Sequence, residues 1–282
     1  SYIFSALLGA TKVAMHNHIH LQTVEIGDGE EEVEQIKALI ERDFAGLILF
    51  SRSAHRNAAF YQELQEKQYP FLMIDRYCPD VRTDTIVFDD ETAAYCLTET
   101  LIQAGHRRIA ILLSTETFAT SVRDRLNGYR KALQTHNVPY NEHWVGQDIY
   151  EVFELSPDYI DQLRTKYVEF LEHMHHHAPT AVLTINNYSA EQANVDLAKI
   201  QMELMQAIIA DGAFDIAYEL KIPLASISHK PLSLNLTPVV ALALQSGEIL
   251  GEQAMDLLIA RITQSMRDSP RMIKIPMAIH TY

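Results

Sequence analysis

Leu101-Ile102-Gln103-Ala104-Gly105-His106-Arg107-Arg108-Ile109-Ala110-Ile111-Leu112 is the stretch whose reading decides the fold class. Its first residues close an amphipathic helix that the spacing places over Glu91 to Ala104, and its last residues belong to an apolar strand from Arg108 to Leu113. A short, continuously apolar strand beside an amphipathic helix is the building unit of a parallel sheet covered on both faces.

The same alternation extends in both directions. Upstream, a helix begins near Tyr2, Leu21 to Ile26 reads as a strand, and Glu30 to Arg42 as a helix with an acidic start. Gly46 to Phe50 is a strand, Asn57 to Gln68 a helix, Pro70 to Asp75 a strand and Thr85 to Phe88 another. Downstream, helices are expected over Ser121 to Thr135 and Asp158 to His175, then a strand over Thr180 to Ile185. A long helical region follows from Ser189 to Lys221, broken near Asp211-Gly212. Pro223 to Ser228 is a strand, Gly247 to Ser265 a helix and Met272 to Ile279 a strand. Strands and helices in this order define an α/β fold with right-handed crossovers.

The chain has 282 residues, which fits two lobes of ordinary size. No solenoid repeat and no Pro/Gly/Ser-rich tether separates them, so short crossings must join them. Hydrophobic residues make up 48 %, enough for a packed core. No apolar run is long enough to span a bilayer, and the opening Ser1-Tyr2-Ile3-Phe4 lacks the pattern of a signal peptide. The two cysteines, Cys78 and Cys96, read as free thiols in a reducing cytoplasm. The net charge of −14 opposes direct contact with nucleic acid, which requires Lys and Arg to neutralise phosphates.

In open parallel sheets, ligands bind outside the carboxyl ends of the strands. Polar residues occupy that position after four apolar strands: Ser51 and Arg52, Asp75 and Arg76, Asn186 and Asn187, His229 and Lys230. Polar loops follow strands in any protein, but four such ends together form a binding-cleft pattern. No nucleophile elbow, phosphate loop or His-Glu-x-x-His motif occurs, so no enzyme activity is expected. Asp89-Asp90-Glu91 reads as the start of the following helix, where negative charge suits the N-terminal end. His16, His18 and His20 alternate, and His173, His175, His176 and His177 cluster. Neither group has a Cys or carboxylate at ligand spacing, so neither a metal nor a cofactor is expected.

The stretch from Leu101 to Leu112 strongly resembles the sensor domains of the LacI/GalR family of bacterial regulators, in which a helix ends in Leu-Gly-His-Arg-Arg-Ile-Ala. Arg125-Leu126-Asn127-Gly128-Tyr129 is similar to that family's Arg-Leu-x-Gly-aromatic helix. Further matches follow in family order: Phe44 to Leu49, Met73 to Arg76, Pro179 to Val182, Leu236 to Val239 and Ile275-Pro276. The resemblance implies two Rossmann-like lobes of the periplasmic-binding-protein type I fold, joined by three crossings near Phe88, Ala243 and Asp268. Residues 1–88 plus 244–268 would form the N-terminal lobe, and 89–243 plus 269–282 the C-terminal lobe.

It further implies a small effector, often a sugar, held between the lobes of a homodimer and controlling operator binding by an N-terminal head. Such a head, of the Lac type or of the GntR type seen in arabinose-responsive hybrids, would precede these residues. The family's opening strand would also lie upstream, because it is central in the first lobe and its loss would leave buried backbone unpaired. A periplasmic-type sugar-binding protein for transport or chemoreception is the alternative, and the Gly105-His106-Arg107-Arg108 and Arg125-Leu126 motifs resemble the regulator branch.

The strand-end pattern and the resemblance together give the ligand-binding set Ser51, Arg52, Asp75, Arg125, Asn186 and Lys230. Lys230 stands where the family commonly has Asp, and Ala243 where it has an aromatic residue. An ammonium in place of a carboxylate reverses the local preference and points to an anionic sugar derivative, unless Lys230 faces solvent or pairs with Asp75. The segment near 193–212 has room for an extra helix beyond the family pattern; core packing is its plainer role.

Overall fold

The structure is a computed structural model, and it describes residues 2–27, 29–113, 119–146, 180–185, 223–229, 239–263 and 269–282. The helices expected over Asp158 to His175 and Ser189 to Lys221, with the extra segment near 193–212, lie outside the described residues.

The chain divides into two compact units. The first comprises Ser1–Asp89 and Ser246–Pro276 with a short stretch ending at Ser121; the second comprises most of the remainder and closes with Met277–Tyr282.

The first unit holds α1 (Tyr2–His16), α2 (Glu30–Glu41), β1 (Leu47–Leu49), α3 (Ala58–Glu66), β2 (Phe71–Ile74), β3 (Asp84–Phe88), α6 (Gly247–Ile262) and β9 (Met272–Ile275). Its four strands form a parallel sheet in the order β1-β2-β3-β9. Alternation along β1 shows why both faces are apolar. Leu47 and Leu49 pack with Ile36 of α2 and with Tyr61 and Leu64 of α3. Ile48 points the other way, toward Ala10 and Ala14 of α1 and Met255 of α6. Helices α1 and α6 approach so closely that a Cβ added to Gly251 would overlap the Ala6 carbonyl, and one added to Gly9 the Glu248 carbonyl. Ser246 caps α6 by accepting from the Ile249 amide at 3.3 Å. Near the far end of α6, Arg261 grips the buried Asp84 carboxylate with two donors, at 2.6 and 2.9 Å, and the Arg271 amide adds a third at 2.8 Å. This clasp ties α6, β3 and the approach to β9 together.

The second unit holds α4 (Asp90–Gln103), β4 (Ile109–Leu112), α5 (Thr120–Thr135, apart from its first residues), β5 (Val145–Gly146), β6 (Ala181–Thr184), β7 (Leu224–Ser228), β8 (Val239–Leu244) and β10 (Ala278–Thr281). Its sheet runs β10-β8-β7-β6-β4-β5, parallel except for the edge strand β10, which is antiparallel to β8.

Two expectations are corrected. Leu21 to Ile26 forms no strand: among the described residues β1 pairs with a strand on one side only, and a strand without a partner leaves its backbone groups unsatisfied. Met272 to Ile279 is not one strand. Pro276 has no amide proton to continue a ladder, and the chain changes sheet there. β9 pairs with β3 in the first unit, and β10 pairs with β8 in the second. Residues 269–276 therefore belong with the first sheet, whereas the sequence reading put all of 269–282 in the second lobe. The division falls after Asp89, Gln245 and Pro276, the last well past the crossing expected near Asp268.

Candidate functional site

In the first unit, polar groups gather at the carboxyl ends of β1 and β2. Ser51 is buried, and its hydroxyl accepts from the Ser53 amide at 3.2 Å. Arg52 beside it is exposed. Asp75 directly follows β2 and is buried, with a positive φ of 68° that a non-glycine residue rarely adopts. The ladder holds it there, since its amide donates to the Ile86 carbonyl at 2.9 Å. Backbone strain of this kind is commonly found at binding sites. Arg76 follows, with its Nε 3.5 Å from Asp75 Oδ2 and its guanidinium 5.3 Å from the centre of the Phe50 ring. Ser51, Asp75 and Arg76 thus cluster at adjacent strand ends, with Arg76 beside both a carboxylate and an aromatic face.

In the second unit, Arg125 projects from the buried face of α5. Its Nε donates to Asp90 Oδ1 at 2.6 Å and its Nη1 to the Ile185 carbonyl at 2.5 Å, immediately beyond β6. Both charged side chains are buried. The Asp90 carboxylate compensates the guanidinium charge, so Arg125 offers directed N–H donors rather than net charge. Asn186 and Lys230 lie outside the described residues. Ala243, at the position of the family's aromatic residue, is fully buried within β8.

The two sequence motifs prove to be fold clasps as much as site residues. Gly105 takes a φ of 97° and closes α4, with the His106 amide returning to the Leu101 carbonyl at 3.1 Å. His106 Nδ1 meets Thr180 Oγ1 at 3.1 Å, joining the end of α4 to the start of β6, and burial lowers its pKa below the ordinary histidine value. On α5, Gly128 lies so close to the Glu91 carbonyl that a side chain would overlap it. The Tyr129 hydroxyl, one residue on, donates to the Ile109 carbonyl at 2.7 Å, and burial pushes its pKa up. Arg125, Gly128 and Tyr129 share one helical face, so the motif that docks α5 also delivers Arg125 to the end of β6.

Sequence reasoning missed Gln245. It directly follows β8, is buried, and its Nε2 has no hydrogen-bond partner among the described residues. The strand-end rule would have found it had Val239–Leu244 been read as a strand. It also missed the role of Asp90 as the partner of Arg125. Among the described residues no group of three or more His, Cys, Asp or Glu side chains could hold a metal ion, and His173 to His177 lie outside them.

A model of the family described as periplasmic binding proteins and sugar binding domain of the LacI family matches residues 1–282. The chain belongs to that family. Among the curated relatives of this LacI-family domain, the probable HTH-type transcriptional regulator EndR of Paenibacillus polymyxa is 24 % identical over 93 % of this chain and 71 % of its own length. The arabinose metabolism transcriptional repressor of Geobacillus stearothermophilus is 27 % identical over 79 % of this chain and 58 % of its own. The chain therefore covers less than two thirds of that second relative. Among solved structures, a LacI family transcriptional regulator from Enterococcus faecium with bound ribose superposes with a TM-score of 0.66 at 17 % identity. It covers 100 % of this chain and 93 % of that one, which establishes the shared fold. These relatives carry regulator names, which agrees with the regulator reading of the motifs.

Proposed function

We propose that this chain is the effector-sensing part of a bacterial transcriptional repressor, working as a cytoplasmic homodimer without enzymatic activity. Its candidate groups for a small sugar or sugar derivative are Ser51, Arg52, Asp75 and Arg76 in the first unit and Arg125, Asn186, Lys230 and Gln245 in the second. The effector acts by its different affinity for two arrangements of the protein, and so governs operator binding by an N-terminal head. The observation that carries this reading is the family match over residues 1–282. Buried, directed hydrogen-bonding groups at the carboxyl ends of parallel strands support it. Among the described residues no helix is long and apolar enough to cross a membrane.

The effector's charge turns on two side chains. Arg125 is balanced by Asp90, and Arg76 lies beside Asp75. Each of these pairs suits neutral hydroxyls, and a preference for an anion would have to come from Arg52 and Lys230. Titration calorimetry with neutral pentoses and hexoses, their phosphates and their acids separates the two. Binding of a neutral sugar, weakened at least tenfold in Arg125→Met, is the expected result (a charged hydrogen bond contributes roughly 1.5–3 kcal/mol). Exclusive binding of phosphates, lost in Lys230→Met, assigns the anionic class instead. No binding by any member of the set would overturn the sensor reading.

A further inference from the structure

We propose that Glu32 and Asn57 form a clamp that fixes the loop carrying Ser51 and Arg52, which makes Glu32 a positioning residue for effector recognition. The proposal rests on the sensor reading above. Glu32 lies in the first turn of α2 and is 1 % exposed. Its Oε2 accepts from Asn57 Nδ2 at 2.6 Å, and the same amide donates to the Gly29 carbonyl at 2.8 Å. Gly29, at the N-cap of α2, in turn donates its own amide to Ser53 Oγ at 2.8 Å. Ser53 donates its amide to Ser51 Oγ at 3.2 Å. A continuous set of hydrogen bonds thus runs from the start of α2, across the loop between β1 and α3, to Ser51. Tyr61 of α3 lies beneath, fully buried, with Ser51 and Glu32 as its polar neighbours.

Two features of this cluster work against stability. Asn57 occupies the N-cap position of α3, where its side chain would ordinarily satisfy a free helix amide, yet it makes no such bond. Its Nδ2 donates to Glu32 and Gly29, and in that orientation Oδ1 makes no cap bond. The Glu32 carboxylate is buried, where a charge costs free energy unless it is fully paired. Replacing such a set with apolar side chains of similar volume would suit a loop that needed only to be stable. Both sacrifices converge on one loop, and that loop presents two candidate effector groups. Local sacrifice at a site of this kind is the mark of positioning.

Hydrogen exchange and calorimetry on the full chain test the clamp. In Glu32→Ala, the amides of Ser51 to Asn57 are expected to exchange at least about tenfold faster, and affinity for the bound sugar to fall by about tenfold. The melting temperature should change little, because the released Asn57 can then cap α3. Glu32→Gln keeps an oxygen that accepts from Asn57 and should restore both readouts. Should Glu32→Ala not fold, Asn57→Ser replaces it, since a short hydroxyl caps α3 but cannot reach Glu32. Unchanged exchange in the loop overturns the clamp. Faster exchange with unchanged affinity overturns the positioning role. If the parent chain binds no sugar, the sensor reading and the positioning role fall together, while the exchange result still decides the clamp.

Discussion

Arg125 and Asp90 show how one contact can serve both fold and site. Each is buried, and each is the other's charge partner at 2.6 Å. Removing one partner leaves an uncompensated buried charge, which costs about 3–5 kcal/mol, whereas removing both leaves none. Asp90→Ala should therefore lower the unfolding free energy by about that amount, and the double variant Asp90→Ala/Arg125→Met should recover most of the loss. Urea denaturation of the two variants and the parent measures this directly. A double variant as unstable as Asp90→Ala alone would show that an uncompensated Arg125 charge is not the source of the loss. Asp90 was read from the sequence as a helix-start carboxylate, and it does open α4. What the sequence could not show is that a residue 35 positions later reaches back to it. Local chemistry is readable from spacing; a long-range partner is not.

At the scale of elements, helices α1 and α6 pack in close backbone contact, and glycine makes it possible. Gly251 lies under the Ala6 carbonyl and Gly9 under the Glu248 carbonyl, both backbone atoms that cannot swing aside. Gly251→Ala must push the helices apart, and overpacking of this kind costs about 1–3 kcal/mol. Thermal unfolding checks it, with Gly29→Ala as a contrast: there no atom lies within 4 Å, and only the positive φ of 63° resists a side chain. A Gly251→Ala variant as stable as the parent would mean that the two helices separate without cost. Much of this level was legible beforehand. The apolar runs at Leu47, Phe71, Ile109, Ala181 and Leu224 became strands because continuous apolar sequence needs two covered faces. Leu21 to Ile26 failed because strand propensity cannot supply a partner. Met272 to Ile279 failed because mostly apolar residues continue on both sides of Pro276, where the chain changes sheet. Ser51, Asp75 and Arg125 were legible as site candidates because strand ends and family motifs mark them. Glu32 was not, because a carboxylate in the first turn of a helix has a sufficient local explanation in the helix dipole.

For the whole molecule, charge limits how two copies can meet. Each copy carries −14, so most pairs of faces repel. From Ser1 to Val24, however, there is no Asp or Glu, and this stretch includes Lys12 and His16, His18 and His20. The outward side of α1 in the same stretch is apolar: Phe4 and Met15 are each 72 % exposed and Leu8 is 49 % exposed, and they follow one helical stripe. Ile249, near the start of the neighbouring α6, adds a further exposed apolar side chain. A two-fold axis that sets α1 against its copy would bury this stripe against itself, with Glu248 at its edge held by Lys12 of the same copy. The proposed homodimer is accordingly expected to form through α1. Phe4→Glu/Leu8→Glu should sediment as a monomer at concentrations where the parent is a dimer, and Met272→Glu, an exposed apolar residue on β9, should not change the parent's behaviour. Salt should tighten the parent dimer by screening the repulsion between two acidic bodies. A Phe4→Glu/Leu8→Glu variant that stays dimeric would move the interface elsewhere, and a dimer that loosens with salt would show that ion pairs, not an apolar seam, hold it.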